Sequence, residues 1–299
     1  MRSTLIFGNT ENGHGATAPP EGLASLSPVW RRGSVPFALL VCLSVFLQAE
    51  VNAPRVGYVR AADQTIRPLY GLPASFILGK PVLRSAVGAG FSNEGGLVAL
   101  DGKIQLLGPD ASLIAEYATP DSHPVLHIED QPSTAIAWLP SSQTILRFDG
   151  SAFVATSLSG PLPGTVSSIR LVGNNAELLF ANAGTVTQVA VALDSGNIIS
   201  QRLLPSVEAP AFQYGSFVIF KDAEGLEIEA ADASRRTLPL PSRTISIESI
   251  AAGWVHIGSS DATQSWILHL TGTELELSEL PAPPAARRAS AAVLTEGEK

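Results

Sequence analysis

The sequence of 299 residues contains a single cysteine, Cys42, and only 15% charged residues. Cys42 lies in an N-terminal apolar run that we expect to be removed. The mature protein would then have no disulfide bond, no cysteine nucleophile and no cysteine-ligated metal. A chain with 45% hydrophobic residues can build a substantial core without disulfides, and its low charge content is not that of a disordered protein.

Basic residues are also scarce. Lys and Arg total 19 against 27 Asp and Glu, which leaves a formal net charge of -8 and a sequence pI near 5.1. No basic field is therefore present to attract phosphate backbones or an anionic membrane surface. The composition argues against nucleic acid as a partner.

Amphipathic helical periodicity is almost absent from residue 55 onward, where short apolar or alternating runs recur between turn residues. The 26 glycines and 22 prolines are too many for a helix bundle and show no collagen period. We therefore predict an all-β protein made of strands and turns.

Several turns can be read directly. Asp101-Gly102 and Asp149-Gly150 each join two apolar runs, and glycine supplies the positive φ that a tight hairpin needs. Residues 185–203 and 217–230 show the same strand–turn–strand pattern. The sequence thus predicts a succession of hairpins.

A proline closes each hairpin group, usually after a leucine, and these prolines recur every 36 to 47 residues. A unit of about 40 residues with four short strands is typical of a β-propeller blade. Proline suits the end of an outer strand, where a missing N–H costs no ladder hydrogen bond. The prolines are Pro73, Pro120, Pro163, Pro205, Pro241 and Pro281.

On this rhythm the chain resembles the β-propeller superfamily of YVTN-type and NHL-type repeats, and it looks like secreted propeller proteins of acidobacteria. The resemblance implies a β-propeller of about five to six four-stranded blades over residues 54–283. Residues 284–299 are rich in alanine and charge and have no apolar stripe, so we expect a flexible tail there. The alternative fold is a large β-sandwich, which uses similar strands but has no reason to keep a period near 40.

The blade count depends on the first hairpin. Five complete units run from about residue 74 to 281, and residues 56–69 form a further hairpin. This hairpin is either an incomplete sixth blade or a partner of the last unit that closes the ring and removes an exposed sheet edge.

The N-terminal region has the layout of a secretory signal peptide over residues 31–53. Arg31 and Arg32 precede the apolar run 35–47, and small residues follow it. We expect cleavage after Ala53 or Ala49, since this run is shorter than the roughly 20 residues of a permanent membrane span. Residues 1–30 are an unstructured leader or a mis-assigned start. The protein is therefore expected to be secreted or periplasmic; uncleaved, residues 35–47 would be a membrane anchor.

His123 and His127 are the first candidate metal ligands, because residues four apart in a strand point to one face. A zinc site without cysteine needs at least a third ligand, and His256 or His269 could supply it only if the fold brings distant blades together. The alternative is that His123 lies in a turn and that His127 packs within a strand.

The innermost strands of a propeller line its channel, where catalytic members hold a metal or activate water. The candidate catalytic residues on these strands are Glu248, His127, Glu129 and Gln213. The alternative for Glu248 is an exposed strand residue or an ion pair with Arg243, because most carboxylates stay solvated or paired.

Three functional hypotheses follow. The first is an exported, non-catalytic binding or scaffold propeller without a cofactor, whose partner is a protein, a glycan or a small molecule. The second is a metal-dependent propeller hydrolase or lactonase, which requires the four candidate residues to converge. The third is a structural component of an envelope assembly that keeps the leader helix as an anchor.

Overall fold

The computed structural model describes residues 53–73, 75–129, 131–240, 245–259, 264–271 and 274–281 of the chain. Within these ranges the protein forms 23 β-strands and one short 3-10 helix, Pro132–Thr134. Within the same ranges, no helix has the length and apolar character needed to span a membrane. The predicted signal peptide and the tail over 284–299 lie outside the described residues.

The strands form six antiparallel sheets, each a meander of consecutive strands. The first has three strands and the other five have four. The first blade contains β1 (Arg55–Arg60), β2 (Ile66–Tyr70) and β3 (Ile77–Leu78). The second contains β4 (Gly88–Ser92), β5 (Gly95–Leu100), β6 (Lys103–Leu107) and β7 (Leu113–Ala118). The third contains β8 (Val125–His127), β9 (Ile136–Leu139), β10 (Thr144–Phe148) and β11 (Phe153–Ser157).

The last three blades have four strands each. The fourth contains β12 (Thr165–Val172), β13 (Asn175–Asn182), β14 (Thr185–Ala192) and β15 (Ile198–Glu208). The fifth contains β16 (Ala211–Tyr214), β17 (Phe217–Lys221), β18 (Leu226–Glu229) and β19 (Arg235–Leu238). The sixth contains β20 (Ile245–Ala251), β21 (Trp254–Ser259), β22 (Ser265–Thr271) and β23 (Glu274–Glu279).

The sheets meet around a ring through their first strands. β4 contacts β8, β8 contacts β12, and β12 contacts β16. Tyr214 at the end of β16 donates a hydrogen bond from its hydroxyl to the carbonyl of Ala251 at the end of β20 (2.8 Å). The β-propeller prediction is confirmed, because six small sheets are arranged around an axis with the first strand of each nearest to it. The sandwich alternative, in which two large sheets pack on each other, is wrong.

Inner strands of adjacent blades run in the same direction. From the fourth to the fifth blade, the backbone N–H of Gln213 donates to Ser168 Oγ (2.9 Å). From the sixth to the second blade, the N–H of Ala252 donates to Asn93 Oδ1 (3.2 Å), and β20 contacts β4. Blades two to six thus already form a closed ring.

The first blade fills the junction between the sixth and second blades, and its inner strand is reversed. Gly57 near the start of β1 lies against Ile250 near the end of β20, whereas Arg60 at the end of β1 bonds Glu248, which precedes Ile250. The residues 56–69 therefore belong to a small blade of their own and do not join the hydrogen-bonded sheet of the last unit.

Apolar side chains between blades form the core. Tyr58 and Ile66 of the first blade pack against Phe91 of the second, while Val59 packs against Ile250 of the sixth. Each blade thus buries one face against its neighbour on either side, which a single four-stranded sheet cannot achieve alone.

The predicted Asp-Gly hairpins are confirmed. Gly102 has a φ of 75° and joins β5 to β6, and Gly150 has a φ of 101° and lies between β10 and β11. Both values fall in the region that favours glycine.

Candidate functional site

Glu248, the first candidate carboxylate, lies in the middle of β20 at the meeting point of three blades. Its Oε1 accepts a hydrogen bond from Arg60 Nε (2.7 Å) and forms an ion pair with Arg60 Nη2 (2.7 Å). The backbone N–H of Ala89 on β4 also donates to this carboxylate. One side chain of the sixth blade is therefore tied to the first and second blades. Arg243, the partner considered from sequence, lies outside the described residues.

Two opposing effects act on this carboxylate. Burial raises the pKa of Glu248, because it disfavours the charged form, while Arg60 and the Ala89 N–H lower it; burial has the larger effect. The carboxylate of Glu248 is thus a buried charge, and the stability of its charged form depends on keeping Arg60 beside it.

His256 on β21 is the neighbour of Glu248 on the same sheet, directly opposite in the strand register. Its Nδ1 lies 4.0 Å from Glu248 Oε2, which is too long for a hydrogen bond. Burial, with a further contribution from Arg60, lowers the pKa of His256 to about 3. The imidazole is therefore neutral at physiological pH.

A cavity of about 160 Å³ lies beside this group, between the first and sixth blades. Arg60 and His256 line it, together with further hydrogen-bonding side chains and a few apolar ones. Glu248 is not among the lining residues. The other polar residues on the wall are Ser246, Ser259, Gln264, Ser265 and Glu279, and the apolar ones include Ala61, Leu78 and Leu280.

His127 and Glu129, two other candidates, form a second group. His127 is fully buried, and its Nε2 lies 3.4 Å from Glu129 Oε1. This hydrogen bond lowers the pKa of Glu129, and Arg170 acts in the same direction. The other ring nitrogen, His127 Nδ1, is buried without a hydrogen-bond partner. These two candidates therefore meet each other, whereas Glu248 bonds to different residues.

Among the described residues, two more buried polar atoms on inner strands have no hydrogen-bond partner: Gln213 Oε1 on β16 and Ser249 Oγ on β20. Ser249 Oγ and the Cα of His127 lie 3.2 and 3.9 Å from the point that a Cβ on Gly90 would occupy. A glycine in β4 thus lets the inner strands β4, β8 and β20 approach one another closely.

His123 lies away from this group. It is exposed, and its Nδ1 is 2.7 Å from Ser122 Oγ, while His127 is buried. His269 stacks on Trp254 with ring centroids 3.7 Å apart. In the part of the chain that the structure describes, no three His, Cys, Asp or Glu residues lie close enough to hold a metal ion together.

Arg60 is a member of the site that sequence reasoning missed. It follows Tyr58-Val59 as the last residue of an ordinary strand, and no motif distinguishes it. The only available signal is that a buried carboxylate on an apolar strand needs a cation, and this does not say which cation.

No known protein-family model matches the sequence, and no curated protein does. Three similar solved structures are a streptogramin B lyase, a putative TolB from Agrobacterium tumefaciens and apo AztD from Citrobacter koseri. The lyase is 16% identical, with 67% of this chain and 71% of that chain covered and a TM-score of 0.42. The putative TolB is 10% identical, with 68% of this chain and 84% of that chain covered and a TM-score of 0.45. AztD is 12% identical, with 78% of this chain and 72% of that chain covered and a TM-score of 0.42. At these scores the fold assignment rests on the sheet topology itself.

Proposed function

We propose that this protein is an exported, non-catalytic β-propeller that binds a small polar ligand in the cavity between its first and sixth blades. The observation that carries the proposal is the wall of this cavity, which is lined by a guanidinium, an imidazole and hydroxyl groups. Pockets with a few convergent polar groups are the usual sites of ligand binding.

The size of the cavity limits the ligand. At about 160 Å³ it is smaller than the usual range of about 300–1,000 Å³ for small-molecule sites. The ligand is therefore a small molecule or the terminal group of a larger one, held by hydrogen bonds to Arg60, Ser265 and their neighbours.

The state of the titratable groups favours binding over catalysis. The carboxylate of Glu248 is already engaged by Arg60 and Ala89 and does not line the cavity, whereas a general acid or base must reach the substrate. His256, with a pKa of about 3, is a weak base at neutral pH.

Cavity filling tests the binding site. We expect a thermal-shift screen of small polar metabolites to yield ligands that stabilise the wild type, and Ser265→Trp to abolish their effect by occupying the space. Ser200→Trp, the same change at an exposed position of β15, should leave it intact. The proposal fails if ligands stabilise both variants equally, or if none stabilises the wild type.

Export depends on residues 31–53, which lie outside the described residues, and it stays a prediction, as does the relation to YVTN-type and NHL-type repeats and to acidobacterial proteins. Expression of the full chain in a bacterial host, followed by mass spectrometry of the fractions, tests it. A product in the periplasm or medium that begins after Ala49 or Ala53 is expected. An uncleaved product in the membrane fraction would favour the anchored envelope component.

The metal-dependent hydrolase or lactonase is the second candidate, and His127 favours it. Its Nε2 is held by a carboxylate and its Nδ1 is unpartnered, an arrangement common among metal-ligating histidines. Elemental analysis of protein purified without chelator, with melting before and after EDTA, tests it. A stoichiometric metal and a chelator-dependent melting temperature, both lost in His127→Ala, would support this candidate against the binding module.

A further inference from the structure

A second cleft, of about 570 Å³, lies between the fourth and fifth blades. One wall is the face of the fourth blade and carries Arg170, Gln188 and Arg202 from three of its strands. The opposite wall includes Gln213 on β16 and Val218 on β17 of the fifth blade. This volume is within the usual range of about 300–1,000 Å³ for small-molecule sites.

Most of the charges in this cleft are already neutralised. Glu177 Oε2 accepts hydrogen bonds from Arg170 Nε (2.9 Å) and Nη2 (2.5 Å), and from Gln188 Nε2 (3.1 Å). On the other wall Glu229 Oε2 accepts from Arg235 Nε (2.8 Å) and Nη2 (2.5 Å). Each arginine in these two groups therefore has its own carboxylate.

Arg202 is different. It stands directly opposite Gln188 in the register of β14 and β15, so its side chain lies on the face that carries Arg170. It is exposed, and within the described ranges the structure gives it neither a hydrogen bond nor an ion pair. The cleft thus keeps one uncompensated positive charge in a protein whose net charge is -8.

Gln213 is the second residue of the cleft, after Arg202, whose side chain lacks a partner among the described residues. It is 2% exposed, and its Oε1 is buried with no hydrogen-bond partner. A buried acceptor without a hydrogen bond is energetically costly, so a bound group that donates a hydrogen bond to Gln213 Oε1 would remove this cost. Gln213 is one of the residues that line the cleft, and its backbone N–H donates to Ser168 Oγ.

We propose that this cleft binds a small hydroxylated carboxylate, such as a uronic acid. Its carboxylate would pair with the guanidinium of Arg202, whose planar fork suits a carboxylate, and a hydroxyl would donate to Gln213 Oε1. Leu204 and Val218 provide apolar wall for the carbon skeleton. The site lies on other blades than the cavity next to Glu248, so it stands independently of the function proposed above.

Isothermal titration calorimetry of the full protein with three probes tests the ligand class. D-glucuronate has both groups, D-glucose lacks the carboxylate, and cyclohexanecarboxylate lacks the hydroxyls. We expect D-glucuronate to bind at least tenfold more tightly than either of the others, because only D-glucuronate satisfies both Arg202 and Gln213.

Variants test the assignment of residues. Arg202→Met should weaken D-glucuronate binding at least tenfold and leave the fold unchanged, because the side chain is exposed. Gln213→Leu should weaken the preference for D-glucuronate over cyclohexanecarboxylate. Arg84→Met, which changes an exposed arginine outside this cleft, is the matched control and should bind as the wild type does.

Three results would overturn the proposal: equal binding of D-glucose and D-glucuronate, equal loss in Arg202→Met and Arg84→Met, or no heat of binding with any probe at millimolar concentration. If Gln213→Leu does not fold, the comparison of Arg202→Met with Arg84→Met still decides. Because none of these residues lines the first cavity, failure here leaves the function proposed above unaffected.

Discussion

The carboxylate of Glu248 depends on Arg60, which lies 188 positions earlier in the chain. Both oxygen–nitrogen distances are 2.7 Å, and the pair is largely buried. Breaking such a pair from one side is costly because the remaining charge has lost its solvent and its partner. At the scale of single residues, this ion pair and the neutral His256 beside it make the stability of the fold sensitive to charge.

Arg60→Met should destabilise the fold by about 3–5 kcal/mol, since it leaves a buried carboxylate unpaired. The double variant Arg60→Met/Glu248→Gln should lose less, because the amide carries no charge. Urea unfolding at pH 7 measures both, with the exposed Arg84→Met as control. Removing Arg60 also raises the pKa of Glu248 further, so the deficit of Arg60→Met should shrink as pH falls. A double variant less stable than the single one would contradict this account.

His256 should make stability fall with acid. Its pKa is about 3 when folded and about 6.5 when unfolded, so below pH 6.5 the unfolded state binds a proton that the folded state does not. Stability is therefore lost as pH falls, by about 1.5 kcal/mol between pH 6.5 and pH 5. Urea unfolding of His256→Asn should not show this loss, whereas the exposed His123→Asn should retain it.

Glu248 acts in the opposite sense. Its pKa is raised on folding, so its contribution is present at low pH and is lost as pH rises through the folded value. Because Glu248 is present in both the wild type and His256→Asn, its effect largely cancels in their comparison. Equal pH slopes in these two proteins would show that His256 is not the titrating group.

At the scale of elements, the turns between strands differ in how closely they contact a neighbouring blade. Gly102 and Gly196 both have positive φ, 75° and 71°. A Cβ on Gly102 would meet no atom within 4 Å, whereas a Cβ on Gly196 would lie 2.1 Å from the carbonyl oxygen of Ser157 at the end of β11. The turn after β14 is thus also a contact between the third and fourth blades.

Gly196→Ala should therefore destabilise the protein more than Gly102→Ala. The second change has only the backbone strain of about 1–2 kcal/mol, while the first adds a backbone clash that must separate two blades. Chemical unfolding of the two variants in parallel measures the difference. Equal losses would mean that the contact with Ser157 relaxes without cost.

At the scale of the whole molecule, two sets of contacts close the ring. β20 and β4 meet directly through Glu248, Ala89 and the hydrogen bond from Ala252 to Asn93. The first blade then covers this junction, with β1 running against the direction of the other inner strands. Its role is to bury the faces that the second and sixth blades would otherwise leave open.

Gly57 makes this covering possible. A Cβ there would lie 2.0 Å from the carbonyl oxygen of Ile250, so Gly57→Ala should push β1 off β20 and lower the melting temperature. Gly88→Ala is the matched control on an inner strand, because its Cβ would make only ordinary contacts at 3.7 Å or more. Hydrogen exchange should increase in residues 55–70 of Gly57→Ala and remain unchanged in the fourth blade. Uniform exchange changes in both variants would contradict a local role.

Much of the architecture was predictable because local sequence patterns specify it. The Asp-Gly pairs at 101–102 and 149–150 specify hairpins through the conformation of glycine. Pro120, Pro163 and Pro281 follow the last strands of their blades, whereas Pro73 lies between β2 and β3 within the first blade. The small, reversed first blade was not predictable, because β1 and β2 have the same alternating pattern whichever way they face. Among the candidate site residues, Glu248 could be selected as a carboxylate on an apolar strand, but its engagement by Arg60 and Ala89 could not.

The sequence by itself determined the all-β class, the succession of hairpins and the repeat of about 40 residues, because strand alternation and turn chemistry act between near neighbours. Only the tertiary structure decided which distant side chains meet: Arg60 with Glu248, and Gln213 with the cleft that holds Arg202. These contacts depend on how blades pack around an axis. Packing is driven by non-directional burial of apolar surface, which brings distant residues together without leaving any spacing in the sequence to reveal them.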